Sequence, residues 1–347
     1  MVNKETVCAV VVTYNRKELL LACLEALLKQ THPLDAIYLI DNASNDGTQE
    51  SLKEKGYISA ILKSTTEPLE SECLIKMFSE NKLDKQVRVH YVKIHQNIGS
   101  AGGFHEGVKR GYAHGYDWLW LMDDDAEPYI DSLEHLFDKT KVYKTVLAAV
   151  VPVKIDMNNN IQEHHIGYIK KDRWKTIALR LDEYLDSCAT KEVGYSSFVG
   201  PLISSRAVSC IGFPDRDFFI WDDDLDYSAR LSNFGRILLV KDARMRHKDK
   251  LPGVHAGGKS ESISSLWKKY YGERNSIFLR KKYYSNKFLL YFDLGYFFMR
   301  EVKNILLRQD HKIVKLRILV KAYLHGFLGV RGMKINPEDW RKQYAGS

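Results

Sequence analysis

The sequence predicts an α/β fold, a mostly parallel doubly wound sheet flanked by helices, with a helical region appended at the C-terminus. Three observations carry that expectation. Apolar strand-like runs alternate with amphipathic helical stretches through the first 125 residues. Polar and acidic residues crowd the points where those runs end. Beyond about residue 260 the strand-like runs cease and the pattern is helical to the end. Strands separated by helices need crossover connections, which make parallel sheets, and ligands of such sheets bind beyond the carboxyl ends of the strands.

In chain order, Val7–Val12 reads as a buried strand running into Thr13-Tyr14-Asn15-Arg16, and Glu18–Gln30 as a helix with Leu20, Leu24, Leu27 and Leu28 along one side. Ala36–Ile40 is a second strand, ending in Asp41. Residues 56–86 are polar and rich in lysine and glutamate, and are expected to form a peripheral helix-loop insert. Val87, Val89 and Tyr91 alternate with polar residues as a third strand, and Trp118–Met122 forms a fourth that ends in Asp123. Shorter strands follow near Leu147–Val151, Phe198–Ile203 and Arg236–Val240. After the glycine-rich stretch 252–258 the chain turns helical, which places a boundary near 260 between an α/β domain (1–260) and a helical region (261–347).

Composition narrows the function. Hydrophobic residues make up 45% and charged residues 28% of the chain, a globular balance. The net charge of +8 is uneven, with basic residues dominating from Trp267 to Lys342. Five cysteines without a Cys-x-x-Cys argue against a zinc site or a disulfide framework. The N-terminus carries no secretory pattern, and no stretch approaches the ~20 apolar residues that span a bilayer. These features lead to the expectation of a cytoplasmic protein, at most peripheral at the inner face of the plasma membrane. A nucleic-acid binder would account for the basic charge but not for aspartates at strand ends, so no nucleic-acid partner is expected.

The residues suited to chemistry fall in four places. Asp123-Asp124-Asp125 ends an apolar strand. Continued strand geometry would aim Asp123 and Asp125 to one side, where two carboxylates invite a cation such as Mg²⁺ or Mn²⁺. Asn97 to Phe104 includes Gly99, Gly102 and Gly103 at a strand-to-helix turn, where glycines permit close approach of a diphosphate to backbone N–H groups. Phe219 to Arg230 carries Trp221 and the run Asp222-Asp223-Asp224-Leu225-Asp226; Asp223 or Asp224 is placed to take a proton from an attacking hydroxyl. His247 follows the last strand and offers nitrogen to a carboxylate-bound cation.

Taken together these pieces resemble the family 2 glycosyltransferases, which have the GT-A type of Rossmann-like fold. The resemblance rests on Val10–Arg16, Asp41–Thr48, Asn97-Ile98-Gly99, Leu121–Asp125 and Phe219–Arg230, in the family's order over residues 7–250. It implies an inverting, metal-dependent transfer of a sugar from a nucleotide donor. Thr13, Arg16 and Asp41 would line the nucleoside pocket; Asp123, Asp125 and His247 would hold Mn²⁺ or Mg²⁺. Asp224 would be the general base, with Asp223 beside it and Asp226 as an acceptor-binding or supporting acid. Asn97, Gly102, Gly103, Asp124 and Trp221 complete the expected substrate-binding set.

Within that family the triple aspartate, the Trp-Asp-Asp-Asp run and Asn-x-Gly-x-x-Gly-Gly look most like galactofuranosyltransferases, which use UDP-galactofuranose. Rhamnosyltransferases that use dTDP-rhamnose are near relatives. They share a Tyr-x-x-Arg-Asn seen here as Tyr271-Gly272-Glu273-Arg274-Asn275. The expected partners are a UDP-sugar and a glycan or lipid-linked glycan acceptor. Between Asn286 and Gly332 aromatic and aliphatic residues interleave with lysine and arginine, a composition suited to an anionic membrane surface or to packing in a homo-oligomer.

Overall fold

The computed structural model describes residues 5–62, 67–76, 86–143, 146–170, 172–248 and 262–344. They divide into two compact units. The first draws on Met1–Tyr168, Ile177–Asp215 and Asp224–Asp249, the second on Ile169–Thr176, Arg216–Asp223 and Lys250–Ser347. The expected boundary near 260 and the glycine-rich stretch 252–258 lie outside the described residues.

The chain opens with β1 (Val7–Thr13), α1 (Lys17–Leu28), β2 (Ala36–Asp41), α2 (Thr48–Glu54), β3 (Leu69–Lys76), β4 (Gln86–Lys93) and α3 (Gly99–Ala113). There follow β5 (Trp118–Asp123), β6 (Ala126–Pro128), α4 (Ser132–Val142), β7 (Leu147–Ile155), β8 (Ile166–Lys170) and β9 (Lys175–Ala178). Then come α5 (Leu181–Leu185), β10 (Thr190–Val193), β11 (Tyr195–Ser196), β12 (Leu202–Ser204), α6 (Ser205–Ile211), α7 (Asp223–Phe234) and β13 (Arg236–His247).

The main sheet runs β10-β13-β7-β12-β5-β1-β2-β4-β3, with β6 paired to β13. Strands β5, β1, β2 and β4 are parallel, as are β7 and β13; β12 and the strands at the rims are antiparallel. Every residue of β1 is buried. Val7, Ala9 and Val11 join the core that includes α1, while Cys8, Val10 and Val12 join the one that includes α3. That two-sided burial explains why β1 reads as an unbroken apolar run rather than an alternating one.

Two expectations need correction. The stretch 56–86 contributes a strand, β3, antiparallel to β4 at the sheet edge. Its glutamates pair with β4: Glu72 with Arg88 at 3.1 Å, and Glu70 with His90 at 3.4 Å. Charged residues suit an edge strand, where they oppose pairing with another chain, and that is why this one reads as a polar insert. The last strand also runs further than Val240. An irregularity between Val240 and Arg244 lets β13 continue to His247.

The second unit contains α8 (Trp267–Tyr283), α9 (Lys287–Arg308), α10 (Lys312–Leu328) and α11 (Pro337–Gln343). Its core gathers Phe219, Leu266, Trp267, Tyr270, Tyr271, Ile318 and Ala322. No helix among the described residues is long and apolar enough to cross a membrane.

Candidate active site

The parallel register brings three strand ends together: Thr13 lies beside Asp41, and Val12 beside Asp123. Strand β5 stops at Asp123, and Asp124 and Asp125 form a turn into β6. The acidic triplet therefore does not continue as a strand, and the expected alternation does not decide where Asp125 points. What decides it is a set of contacts. Thr13 Oγ1 donates to Asp124 Oδ2 at 2.7 Å, and the Arg16 guanidinium reaches Asp124 Oδ1 at 3.3 Å and Asp125 Oδ2 at 2.7 Å. Both carboxylates are buried. Burial, and then the neighbouring Asp125, push Asp124 up to about 6. Burial pushes Asp125 the same way, but the His247 and Arg16 side chains outweigh it and hold Asp125 below the usual carboxylate range.

His247 pairs with Ala126 across the β6–β13 ladder, which sets its ring beside the acidic turn. Its Nε2 lies 3.4 Å from Asp125 Oδ1, a buried oxygen that accepts no hydrogen bond. Its Nδ1 is 3.0 Å from Gln162 Oε1. An imidazolium there donates from both nitrogens, to Gln162 and toward Asp125; a neutral ring that donates from Nδ1 to Gln162 frees Nε2. In that second state one nitrogen and one carboxylate oxygen converge, donor types that a divalent ion takes. A mixed oxygen and nitrogen donor set suits Mn²⁺ better than Mg²⁺. Among the described residues no three His, Cys, Asp or Glu side chains converge as a metal-holding group, so Asp123 does not join Asp125 and His247 in one.

Asp41 is fully buried. Its carboxylate accepts from Tyr91 Oη at 2.6 Å and from the Ser44 N–H at 2.7 Å. Through these contacts it shapes the loop after β2, from which Asn45 reaches solvent. Asn42, not singled out from sequence, ties that loop to the next: its amide donates to Asn97 Oδ1 and to the Gly99 carbonyl, each at 3.1 Å, and accepts from the Ile98 N–H at 2.9 Å. Asn97 is thereby an anchor of the turn, and it also accepts from the Gly99 N–H at 2.8 Å.

Gly102 and Gly103 sit at places where a side chain has no room. A Cβ on Gly102 would stand 2.7 Å from Ile98, and one on Gly103 would stand 2.5 Å from Val12. The missing Cβ lets Ile98 and Val12 pack against these positions, and α3 lie close on the sheet.

On α7, Asp226 is fully buried and paired with Arg230 Nε at 3.0 Å, one turn along the helix. Arg230 in turn donates to the carbonyls of Ile211 and Phe213. Asp226 is thus held in an ion pair, as the expected supporting acid would be. Asp224 is half-buried. Enclosure of its carboxyl group raises it to about 6, against the pull of the Leu225 N–H and of Lys154. Asp223 is buried at the start of the helix, where the backbone dipole favours a carboxylate.

In the second unit, Trp221 is half exposed at 45%. The segment before the acids carries three non-glycine residues at positive φ: Phe219 (68°), Trp221 (65°) and Asp222 (66°). Each costs of order 1 kcal/mol or more. The Tyr-x-x-Arg-Asn motif offsets this. Asn275 Nδ2 lies 2.9–3.1 Å from the carbonyls of Phe218, Ile220 and Trp221, and Arg274 donates to those of Asp217 and Phe218.

Comparison with known proteins fits this geometry. The family model for glycosyl transferase family 2 matches residues 8–64 and 70–200, more than half of the chain.

The chain belongs to glycosyl transferase family 2.

The family match stops at residue 200, so α7, His247 and the helices beyond lie outside it. Curated relatives within reach are galactofuranosyltransferases GlfT1. That of Mycolicibacterium smegmatis is 28% identical over 238 residues, 68% of each chain. That of Mycobacterium tuberculosis is 29% identical, over 67% of this chain and 66% of its own. Among solved structures, GalNAc-T7 with UDP, GalNAc and Mn²⁺ superposes with a TM-score of 0.57 at 15% identity, over 99% of this chain and 59% of that one. Residues 1–349 of S. aureus TarS give 0.52 at 11% identity, over 92% and 80%. These likenesses establish a GT-A fold for this family 2 glycosyltransferase.

Proposed function

We propose that this family 2 enzyme transfers galactofuranose from UDP-galactofuranose to a hydroxyl of a glycan or lipid-linked glycan, with inversion at C1. The donor assignment is supported by the similarity to GlfT1 enzymes. The chemical reading rests on one observation above others: the converging Asp125 Oδ1 and His247 Nε2 at the end of the parallel sheet, 3.4 Å apart. A divalent cation held there supplies charge neutralisation on the departing diphosphate. Thr13 and Arg16 fix the acidic turn, and Arg16, half exposed, presents positive charge at its mouth. Asp224 takes the proton of the acceptor hydroxyl as that oxygen bonds to C1 and the C1–O bond to the diphosphate breaks, its electron pair leaving with UDP. Asp123, Asp223 and Trp221 are the remaining candidates for substrate contact.

A panel of nucleotide sugars tests the donor. UDP-galactofuranose should be consumed in preference to UDP-galactopyranose and dTDP-rhamnose. Selective turnover of dTDP-rhamnose overturns the assignment and makes the protein a rhamnosyltransferase.

The second unit supports a membrane-proximal acceptor. On α9 the side opposite the buried Leu290, Leu294 and Ile305 exposes Phe288 (77%), Phe292 (65%) and Met299 (63%). On α10, Ile313, Val320, Leu324 and Leu328 are exposed in the same way. The acids on these helices and between them are engaged: Asp293 by Tyr284, Glu301 by Lys269 and Asp310 by Lys315. Basic residues such as Lys303, Arg317 and Lys321 flank the apolar ridges. An apolar ridge edged with positive charge matches an anionic bilayer interface. Flotation with anionic liposomes at low salt should carry the protein to the lipid fraction, and high salt should release it. Protein that stays soluble at low salt and elutes as a dimer assigns the face to a second copy.

A further inference from the structure

Lys154 lies near the end of β7 and is 1% exposed, in a strand whose other residues are almost all apolar. A buried ammonium is costly unless charge and hydrogen bonds offset its desolvation. Nζ donates to Ser196 Oγ at 2.6 Å, and that hydroxyl donates to the Ser197 carbonyl at 3.0 Å. Ser196 is stitched to α7: its N–H donates to Ser228 Oγ at 3.2 Å, and its carbonyl accepts from the same hydroxyl at 3.1 Å. Ser228 stands one turn along α7 from Asp224, so the two side chains share a helix face. The seryl bridge thus sets the ammonium in the field of the Asp224 carboxylate. The two groups act on each other: burial lowers Lys154 to about 7 against the pull of Asp224, and Lys154 in turn lowers Asp224.

We infer that Lys154 is a positioning residue for the transfer step, holding the Asp224 carboxylate ionised and steady so that it can receive the acceptor's proton. The inference rests on the reading of Asp224 as base. Lys154 does not carry the transferred proton, which goes from the acceptor oxygen to Asp224; with burial lowering it only to about 7, it is charged across the acid limb where Asp224 titrates. The other titratable groups that face the pair are Tyr195 on β11, which acts on Asp224, and His165, which faces Lys154 and stacks edge-on with His247. Tyr195 is held neutral, pushed up to about 12 by burial and then by Asp224, and burial holds His165 neutral at about 2. Lys154 is therefore the cation that bears on Asp224 from β7.

The sign follows directly. Asp224 must be ionised to act as a base, and Lys154 lowers its pKa, so removing the ammonium raises that pKa and moves the acid limb of the rate profile to higher pH. The test is the pH dependence of kcat/KM for the full chain as wild type, Lys154→Met, Lys154→Arg, Asp224→Asn and the Lys154→Met/Asp224→Asn double variant. Lys154→Met should move the acid limb up by about one pH unit, roughly a tenfold loss at pH 5 that shrinks to about fivefold at pH 6 and vanishes by pH 8.5. Lys154→Arg should keep the wild-type limb, and Lys154→Met should cost nothing further on Asp224→Asn. An equal loss at every pH with an unmoved limb overturns the inference and leaves Lys154 a packing residue. Should Lys154→Met fail to fold, Lys154→Gln read against Lys154→Arg decides the same point. If Asp224→Asn itself keeps wild-type turnover, the base assignment fails instead, and the two failures are told apart.

Discussion

The side-chain amide of Asn275 stands 3.0 Å from the carbonyl oxygen of Trp221. That contact gives a physical reason for a motif whose sequence offers none. The backbone from Phe219 to Asp222 is held in left-handed conformations that side chains disfavour, and Arg274 and Asn275 bind its carbonyls from α8. Asp223 and Asp224 follow at once in the chain.

Asn275→Ala should lower stability by about 2 kcal/mol, the scale of leaving several buried carbonyls short of a donor. Thermal melts read that loss. Turnover should fall more than UDP affinity does, because the strained segment precedes the acids and not the acidic turn after β5. A variant with wild-type melting and turnover would remove the brace from the account.

Asp224→Asn should preserve UDP binding and cut kcat by about two to four powers of ten, the scale of losing a general base. In the wild type the activity should rise with pH through about 6, where enclosure has raised the Asp224 carboxyl and below which it is protonated and unable to accept a proton. A pH–rate profile flat from 5 to 8 contradicts this. If Asp223→Asn is the more damaging variant with donor binding intact, the base sits one residue earlier.

Gly103→Ala separates packing from ligand contact. The new Cβ would meet Val12, and overpacking of this kind costs about 1–3 kcal/mol. Denaturant melts should show that cost while UDP affinity of the folded protein stays at the wild-type value. A stable variant that loses UDP would return the glycine to the donor site.

Much of the fold was legible because its central strands are buried on both faces, and such strands stand out as apolar runs. β3 was not, since glutamates that pair with Arg88 and His90 make an edge strand look like a loop. Polar residues at strand ends were legible, as at Thr13, Asp41 and Asp123–Asp125, and the register sets those ends side by side. The packing roles of neighbouring residues of the same types were not. Gly103, Gly107 and Gly111 recur every fourth residue, which is the spacing of a helix face pressed against a sheet, and that signal was available. The Asp226–Arg230 pair likewise carries the four-residue spacing of a helical ion pair. Lys154 gave no signal, because a lysine after an apolar run looks like the strand's exit to solvent until its burial is seen.

The most direct test is calorimetric titration of UDP into wild type and Asp125→Ala, each with Mn²⁺ and with chelator. The account predicts that Mn²⁺ tightens UDP binding to the wild type at least tenfold and leaves the Asp125→Ala affinity at its chelator value. Equal Mn²⁺ enhancement in both proteins would contradict it, and would take the diphosphate-binding cation away from Asp125 and His247.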